Sequence, residues 1–140
     1  MLNAIASEEV PLSAEEVWKV IGDFDGIRKW APAVMAERSE QTPEGKVRTL
    51  TMPPEGREVR ELLAAQGAYS YTYKFLGETP SARNYYGTVS VVPLNAGTSR
   101  IELHSDFDAG AGLSDEESIA NMTRSVRGNL KAMKRALGLA

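Results

Sequence analysis

From Ala33 to Phe107 the chain reads as strand and turn, and one long amphipathic helix follows, LSDEESIANMTRSVRGNLKAMKRALGLA. That pairing leaves few ways to fold. Short turns between successive strands imply an antiparallel meander. A one-layer antiparallel sheet needs its apolar face covered, and the closing segment is the only element long and apolar enough to cover it. Ser114 is placed to cap this helix, with Glu117 in the reciprocal position. Ile119, Met122, Val126, Leu130, Met133 and Leu137 fall on one stripe, and Gly128 falls opposite it.

The candidate strands are AVMAERSE, KVRTLTM, EVRELLA, YSYTYKF, NYYGTVSVV and SRIELHSDF, separated by TPEG, PPEG, AQGA, GETPSAR and PLNAG, all turn chemistry. Upstream, LNAIASEEV reads as a first strand ending at Pro11. LSAEEVWKVIGDF starts a helix with Ser13 as N-cap and Glu16 completing the capping box, and DGIRKWAP reads as a second short helix ended before Pro32. The expectation is an α+β fold with a single domain over residues 1–140. A strongly curved seven-stranded antiparallel sheet grips a long C-terminal helix, and two short helices follow the first strand. Sheet and helix then enclose a space between them.

Composition narrows the function. A chain of 140 residues is long enough for a core and a cavity. A net charge of −3 gives no footprint for nucleic acid or an anionic membrane. With no cysteine and one histidine, thiolate or His-rich metal sites are not expected. No window approaches the ~20 apolar residues of a membrane span, and the N-terminus lacks signal-peptide features, so a cytoplasmic protein is expected. The glycines carry no phosphate-loop spacing, and no cofactor is expected.

Pairing counted outward from the turns places the side chains. PPEG as a hairpin turn pairs Met52 with Arg57, Leu50 with Val59 and Arg48 with Glu61. AQGA pairs Leu63 with Tyr71 and Glu61 with Tyr73. Tyr73 then falls near Gly87 and Phe75 near Tyr85, and PLNAG puts Val89 by Leu103, Gly87 by Ser105 and Tyr85 by Phe107. Alternation gathers Leu50, Val59, Leu63, Tyr71, Tyr73, Phe75, Tyr85, Val89, Val91, Ile101, Leu103 and Phe107 on one apolar face. Arg48, Glu61 and Tyr73 share that face in adjacent rows. A carboxylate facing a core is costly unless held, and Arg48 is the predicted partner. Gly87 and Ser105, both small, are expected to leave volume unfilled beside this polar row, as in a ligand pocket.

Each candidate also has a plain structural role. Glu61 with Arg48 can simply fix register. Buried tyrosines usually satisfy their hydroxyls within a core. His104 alternates with Glu102 and Asp106 on the convex, wet side. Ser118 and Ser125 read as solvated flanks of the helix stripe, and Asn129 lies closest to it. Trp30 with Phe24 either borders the pocket mouth or seats the short helices. Pro53–Gly56 and Gly77–Arg83 are the loops best placed as lids.

Several stretches together resemble the START-like, helix-grip superfamily (SRPBCC), in its polyketide cyclase/dehydrase and lipid-transport branch. They are SAEEVWKVIGDFDGIRKWAP, KVRTLTM, VRELL, YSYTYKF, TPSARNYYGTVSVVP, IELHSDFDA and RGNLKAMKRAL, in order along nearly the whole chain. Trp30 and Pro32 match the family's tryptophan-x-proline, Arg48 an arginine of the third strand, Glu61 the acid of the fourth, and Tyr85 the tyrosine opening the sixth. The chain departs at Ala31 and Leu62, where many relatives carry histidine and arginine. The resemblance implies an internal hydrophobic cavity for an apolar or aromatic small molecule, polyketide-, lipid- or hormone-like.

The sequence therefore points to ligand binding, with Arg48, Glu61 and Tyr73 anchoring a polar end. The remaining expected ligand contacts are Trp30, Val59, Tyr71, Tyr85, Gly87, Leu103, Ser105, Phe107, Met122, Val126 and Asn129. The enzymatic alternative is a cofactor-independent cyclase or dehydratase with Glu61 moving protons and a tyrosine such as Tyr73 holding an enolate oxygen. That alternative needs Glu61 to titrate near neutrality, whereas pairing with Arg48 is expected to depress its pKa. No nucleic-acid partner or membrane insertion is expected. A homodimer is compatible with this reading.

Overall fold

The computed structural model describes residues 1–77, 79 and 82–139. Seven strands form one antiparallel sheet: β1 Leu2–Val10, β2 Ala36–Thr42, β3 Gly45–Met52, β4 Arg57–Gly67, β5 Ser70–Phe75, β6 Ala82–Asn95 and β7 Thr98–Ala109. Helix α1 spans Ala14–Ile21, one 3-10 turn spans Ile27–Lys29, and α2 spans Asp115–Ala136. The sheet order is β1-β7-β6-β5-β4-β3-β2, so every neighbour is a hairpin partner except β1, which closes onto β7.

Local chemistry sets these elements as expected. Ser13 and Glu16 form a complete capping box at α1, and Ser114 and Glu117 form another at α2. Val17 and Ile21 are fully buried, seating α1 on the sheet. Only the expected second helix is smaller than read, a 3-10 turn closed by Trp30 N–H to the Ile27 carbonyl.

The register follows the turns at both ends of the meander. Arg48 pairs with Glu61, Tyr73 with Gly87, and Gly87 with Ser105. It departs between β4 and β5. The turn there is tighter than AQGA suggested, with Gly67 opposite Ser70, and a bulge interrupts pairing between Leu63 and Ala65. Counted from the turn alone, Glu61 would fall on the outer face. The extra residue of the bulge shifts pairing by one and returns it to the inner face. Glu61 therefore sits opposite Phe75, and Tyr73 opposite Leu63, a two-residue correction to the expected row.

Helix α2 packs over β1 and β7 and touches α1. It leaves the inner face of β3–β5 beyond its reach. Its buried stripe is Ser118, Met122, Val126, Leu130 and Met133. Two expectations change here. Ile119 is exposed, and Ser118 is fully buried rather than solvated, because its Oγ accepts the Gly110 N–H at 3.0 Å where the chain leaves β7. The helix is thus rotated so that a polar flank, not only the apolar stripe, meets the open half of the sheet.

Removing that hydroxyl leaves a buried N–H unsatisfied. Ser118→Ala is expected to lower the unfolding free energy by about 1–3 kcal/mol in urea denaturation. A change near zero would mean the side chain is solvated after all.

Candidate functional site

Because α2 covers only one half of the sheet, a cavity of about 920 Å³ opens between the inner face of β3–β7 and the flank of the helix. Its volume lies within the usual range for a small-molecule site. Arg48, Val59, Glu61, Tyr71, Tyr73, Tyr85, Leu103 and Ser105 line its sheet side, Trp30 the wall after the 3-10 turn, and Met122, Val126 and Asn129 its helix side.

Two residues expected in that wall are not there. Phe107 is packed wholly into the core. Gly87 leaves no unfilled volume, because a Cβ on it would lie 2.4 Å from Tyr73 Cζ. The missing side chain is the seat of the Tyr73 phenol. Conversely, Gly128, Ser125 and Asn121 border the cavity on its helix side, so Gly128 is not turned away from it. The His104 side chain lies 3.4 Å from Glu102 Oε1 and is partly exposed, as expected of the convex side, although the residue is also among those bordering the cavity. Pro53–Gly56 does not line the cavity, whereas Thr79 does; Glu78, Pro80 and Ser81 of the second loop lie outside the described residues.

At the floor, Arg48 and Glu61 form an ion pair that is almost fully buried. Arg48 Nε donates to Glu61 Oε1 at 2.7 Å, and Nη2 lies 2.7 Å from the same oxygen. Arg48 Nη1 donates to the Phe24 carbonyl at 3.1 Å. The guanidinium carbon lies 4.3 Å from the Phe24 ring centroid and 5.2 Å from that of Tyr73, within cation–π reach. Charge pairing, a carbonyl and aromatic faces together replace the water this cation has lost. Among the described residues nothing donates to Glu61 Oε2, and the cavity is the space that carboxylate borders.

Phenols continue the polar floor. Tyr85 and Ser105 share a 2.6 Å hydrogen bond, and the Tyr73 hydroxyl lies 3.5 Å from that of Tyr85. The Tyr73 and Tyr85 rings flank Phe75, whose ring centroid lies 4.4 Å from that of Tyr85 at a tilt of 34°. Among the described residues, Trp30 Nε1 and the Tyr71 hydroxyl are buried without a hydrogen-bond partner by geometry, the Tyr71 phenol lying beside Arg48. Sequence reasoning placed Phe75 on the inner face and Phe24 beside Trp30, but not as neighbours of Arg48; the Phe24 carbonyl reaches Arg48 only through the tertiary fold.

Burial governs the titration of the floor. It pushes the Glu61 carboxyl above its ordinary value of 4.5, with Arg48 opposing but not reversing the shift. The expected depression by Arg48 is therefore corrected: desolvation outweighs the pair. Burial works against the Arg48 charge too, yet Glu61 and the neighbouring tyrosines hold it protonated. Burial also raises Tyr73 well above its ordinary value, reinforced by Tyr85 and Glu61, so it stays a neutral donor. An acceptor oxygen, a permanent cation and neutral phenols thus meet at one end of an otherwise apolar hollow.

The sequence profile of the family described as polyketide cyclase/dehydrase and lipid transport matches residues 1–138, and the chain belongs to that family. No curated protein matches the sequence. Among solved structures, the protein XoxI of Bacillus cereus is 30% identical with a TM-score of 0.83, the match covering 98% of this chain and 96% of that one. The Zhui aromatase/cyclase of Streptomyces sp. R1128 is 20% identical with a TM-score of 0.70, covering 97% and 90%. A START superfamily protein of Mycobacterium smegmatis is 14% identical with a TM-score of 0.70, covering 96% and 93%. The last two are likenesses of fold, and the fold is START-like. Family membership supports a role in small-molecule binding or cyclisation. No helix among the described residues is long and apolar enough to cross a membrane.

Two measurements check the floor. A group whose folded pKa is raised stabilises fully below its ordinary value and loses that contribution as the pH rises through the folded value. The stability of the wild type relative to Glu61→Gln should therefore fall as the pH rises above about 4.5, read by denaturation across a pH series; a rise would mean that Arg48 dominates. Gly87→Ala should displace the Tyr73 ring and cost about 1–3 kcal/mol by overpacking, with altered Tyr73 ring resonances in NMR.

Proposed function

We propose that the protein binds a hydrophobic or aromatic small molecule in this cavity, with its polar end at Arg48, Glu61 and Tyr73. The observation that carries the reading is the one-sided ion pair. Glu61 spends a single oxygen on Arg48, and its other oxygen has no donor among the described residues. That oxygen is open to the cavity rather than sealed in the core, and a ligand hydroxyl entering there completes its hydrogen-bond set. Tyr73 stands beside it as a donor for a ligand carbonyl, and Val59, Leu103, Met122 and Val126 supply the apolar walls. Trp30, Tyr71, Tyr85, Ser105 and Asn129 complete the enclosure.

A second reading keeps the same site and adds turnover. The upward displacement of the Glu61 pKa suits a carboxyl that trades a proton, and Tyr73 would hold an enolate oxygen in a cyclisation or dehydration. This reading needs a changed product, detected by mass spectrometry after incubation with a poly-β-carbonyl compound.

The binding reading is tested with two probes that differ by one hydroxyl. In fluorescence titrations 1-naphthol should bind more tightly than naphthalene. Glu61→Gln should remove most of that preference while the circular dichroism spectrum is unchanged. A hydrogen bond to a charged group accounts for about 1.5–3 kcal/mol, or roughly ten- to a hundredfold. Equal binding of both probes to the wild type, or a preference untouched by Glu61→Gln, contradicts the anchoring role.

A further inference from the structure

Strand β1 is an edge of the sheet and pairs with β7 alone. An edge strand presents a row of unpaired N–H and C=O groups, and proteins usually blunt it with charge or cover it. Among the described residues no other backbone segment hydrogen-bonds to Leu2–Val10, and the middle of the strand carries Ile5, a large apolar residue that is exposed. Ile5, Ala6, Ser7 and Glu8 form one wall of a groove of about 750 Å³. Four consecutive residues share one groove only along the edge of a strand, because their side chains alternate between its faces. The other wall is α2, through Arg127, Leu130, Lys131, Lys134 and Arg135. This groove is separate from the cavity, and Arg135 alone borders both.

Its charge runs against that of the whole chain. Four cations face one acid, Glu8, in a protein of net charge −3. Lys134 pairs with Glu8. Arg127, Lys131 and Arg135 are exposed and have no carboxylate partner among the described residues. Arg127 and Lys131 lie one helical turn apart, about 6 Å along the axis. Every second side chain of an extended peptide recurs at a similar interval, about 6.7 Å.

We propose that this groove receives an extended acidic segment of another protein, which adds to β1 as an eighth strand and turns alternate Asp or Glu side chains toward Arg127 and Lys131. Main-chain pairing supplies the attachment, and charge selects the partner. A second copy of this chain suits the groove less well. Pairing β1 with β1 in one continuous sheet puts both α2 helices on the same face, with cations beside cations. A bilayer surface suits it less well too, because headgroups at a flat surface do not enter a groove to pair with a strand edge. The proposal is independent of the cavity reading.

The test uses a fluorescein-labelled heptapeptide that alternates glutamate and valine, a second with serine for glutamate, and a third with the first sequence N-methylated at alternate residues. In fluorescence anisotropy the glutamate peptide should bind at least tenfold more tightly than the serine peptide at low ionic strength, and the advantage should shrink as salt is added. Arg127→Gln combined with Lys131→Gln, both at exposed positions outside the cavity, should abolish the advantage with an unchanged circular dichroism spectrum. The methylated peptide should lose binding, and the glutamate peptide should slow hydrogen exchange at alternate amides of β1. Equal binding of the glutamate and serine peptides, a preference that survives the double variant, undiminished binding of the methylated peptide or unchanged exchange at β1 overturns the proposal. Binding to phosphatidylglycerol vesicles without binding of the glutamate peptide also overturns it, in favour of a membrane surface. A dimer in sedimentation that already protects the β1 amides overturns it in favour of a second copy.

Discussion

A guanidinium and a carboxylate meet at 2.7 Å between β3 and β4, both almost out of water. Desolvating either ion alone costs several kcal/mol, so the arrangement persists only because each part supports the next. Glu61 neutralises Arg48, the Phe24 carbonyl takes another of its protons, and the Phe24 and Tyr73 rings cover its faces. Phe24 belongs to the segment between α1 and the 3-10 turn, so the ion pair also ties that segment to the sheet. The polar floor and the hold on the short helical elements are one structure.

The hollow above the floor comes from a mismatch of sizes. A seven-stranded sheet is wider than one helix can cover, and α2 spends its apolar stripe on β1 and β7. Two local devices decide what faces the remaining space. The bulge near Ala64 turns Glu61 inward, and the missing side chain of Gly87 lets the Tyr73 ring lie flat against β6. A well-packed core would have placed apolar side chains at those rows. Polar groups there sit where stability alone does not favour them, as at functional sites.

Much of this was legible from residue order. Fold class, both capping boxes and the Arg48–Glu61 pairing follow from period-two alternation, turn residues and capping chemistry, all local signals. What escaped was not local. The β4–β5 register depended on a bulge that no turn residue announces, so Tyr73 was expected opposite Glu61 when Phe75 is. Gly87 was taken as open space because its occupant, the Tyr73 ring, arrives from the next strand. Ser118 and Ile119 are neighbours in sequence, about 100° apart around the helix, and only the path of the chain near Gly110 decides which is buried. That Arg57 and Arg135 border one cavity appears only when sheet and helix are assembled.

The central claim is that the second oxygen of Glu61 faces space that a ligand enters. A crystal structure of the protein soaked with 1-naphthol addresses it directly. The account predicts the naphthalene rings between Val59 and Val126, with the hydroxyl within hydrogen-bond distance of Glu61. Naphthol seated on the outer face of the sheet, or a hollow closed by the Tyr71 and Tyr73 side chains, would contradict it.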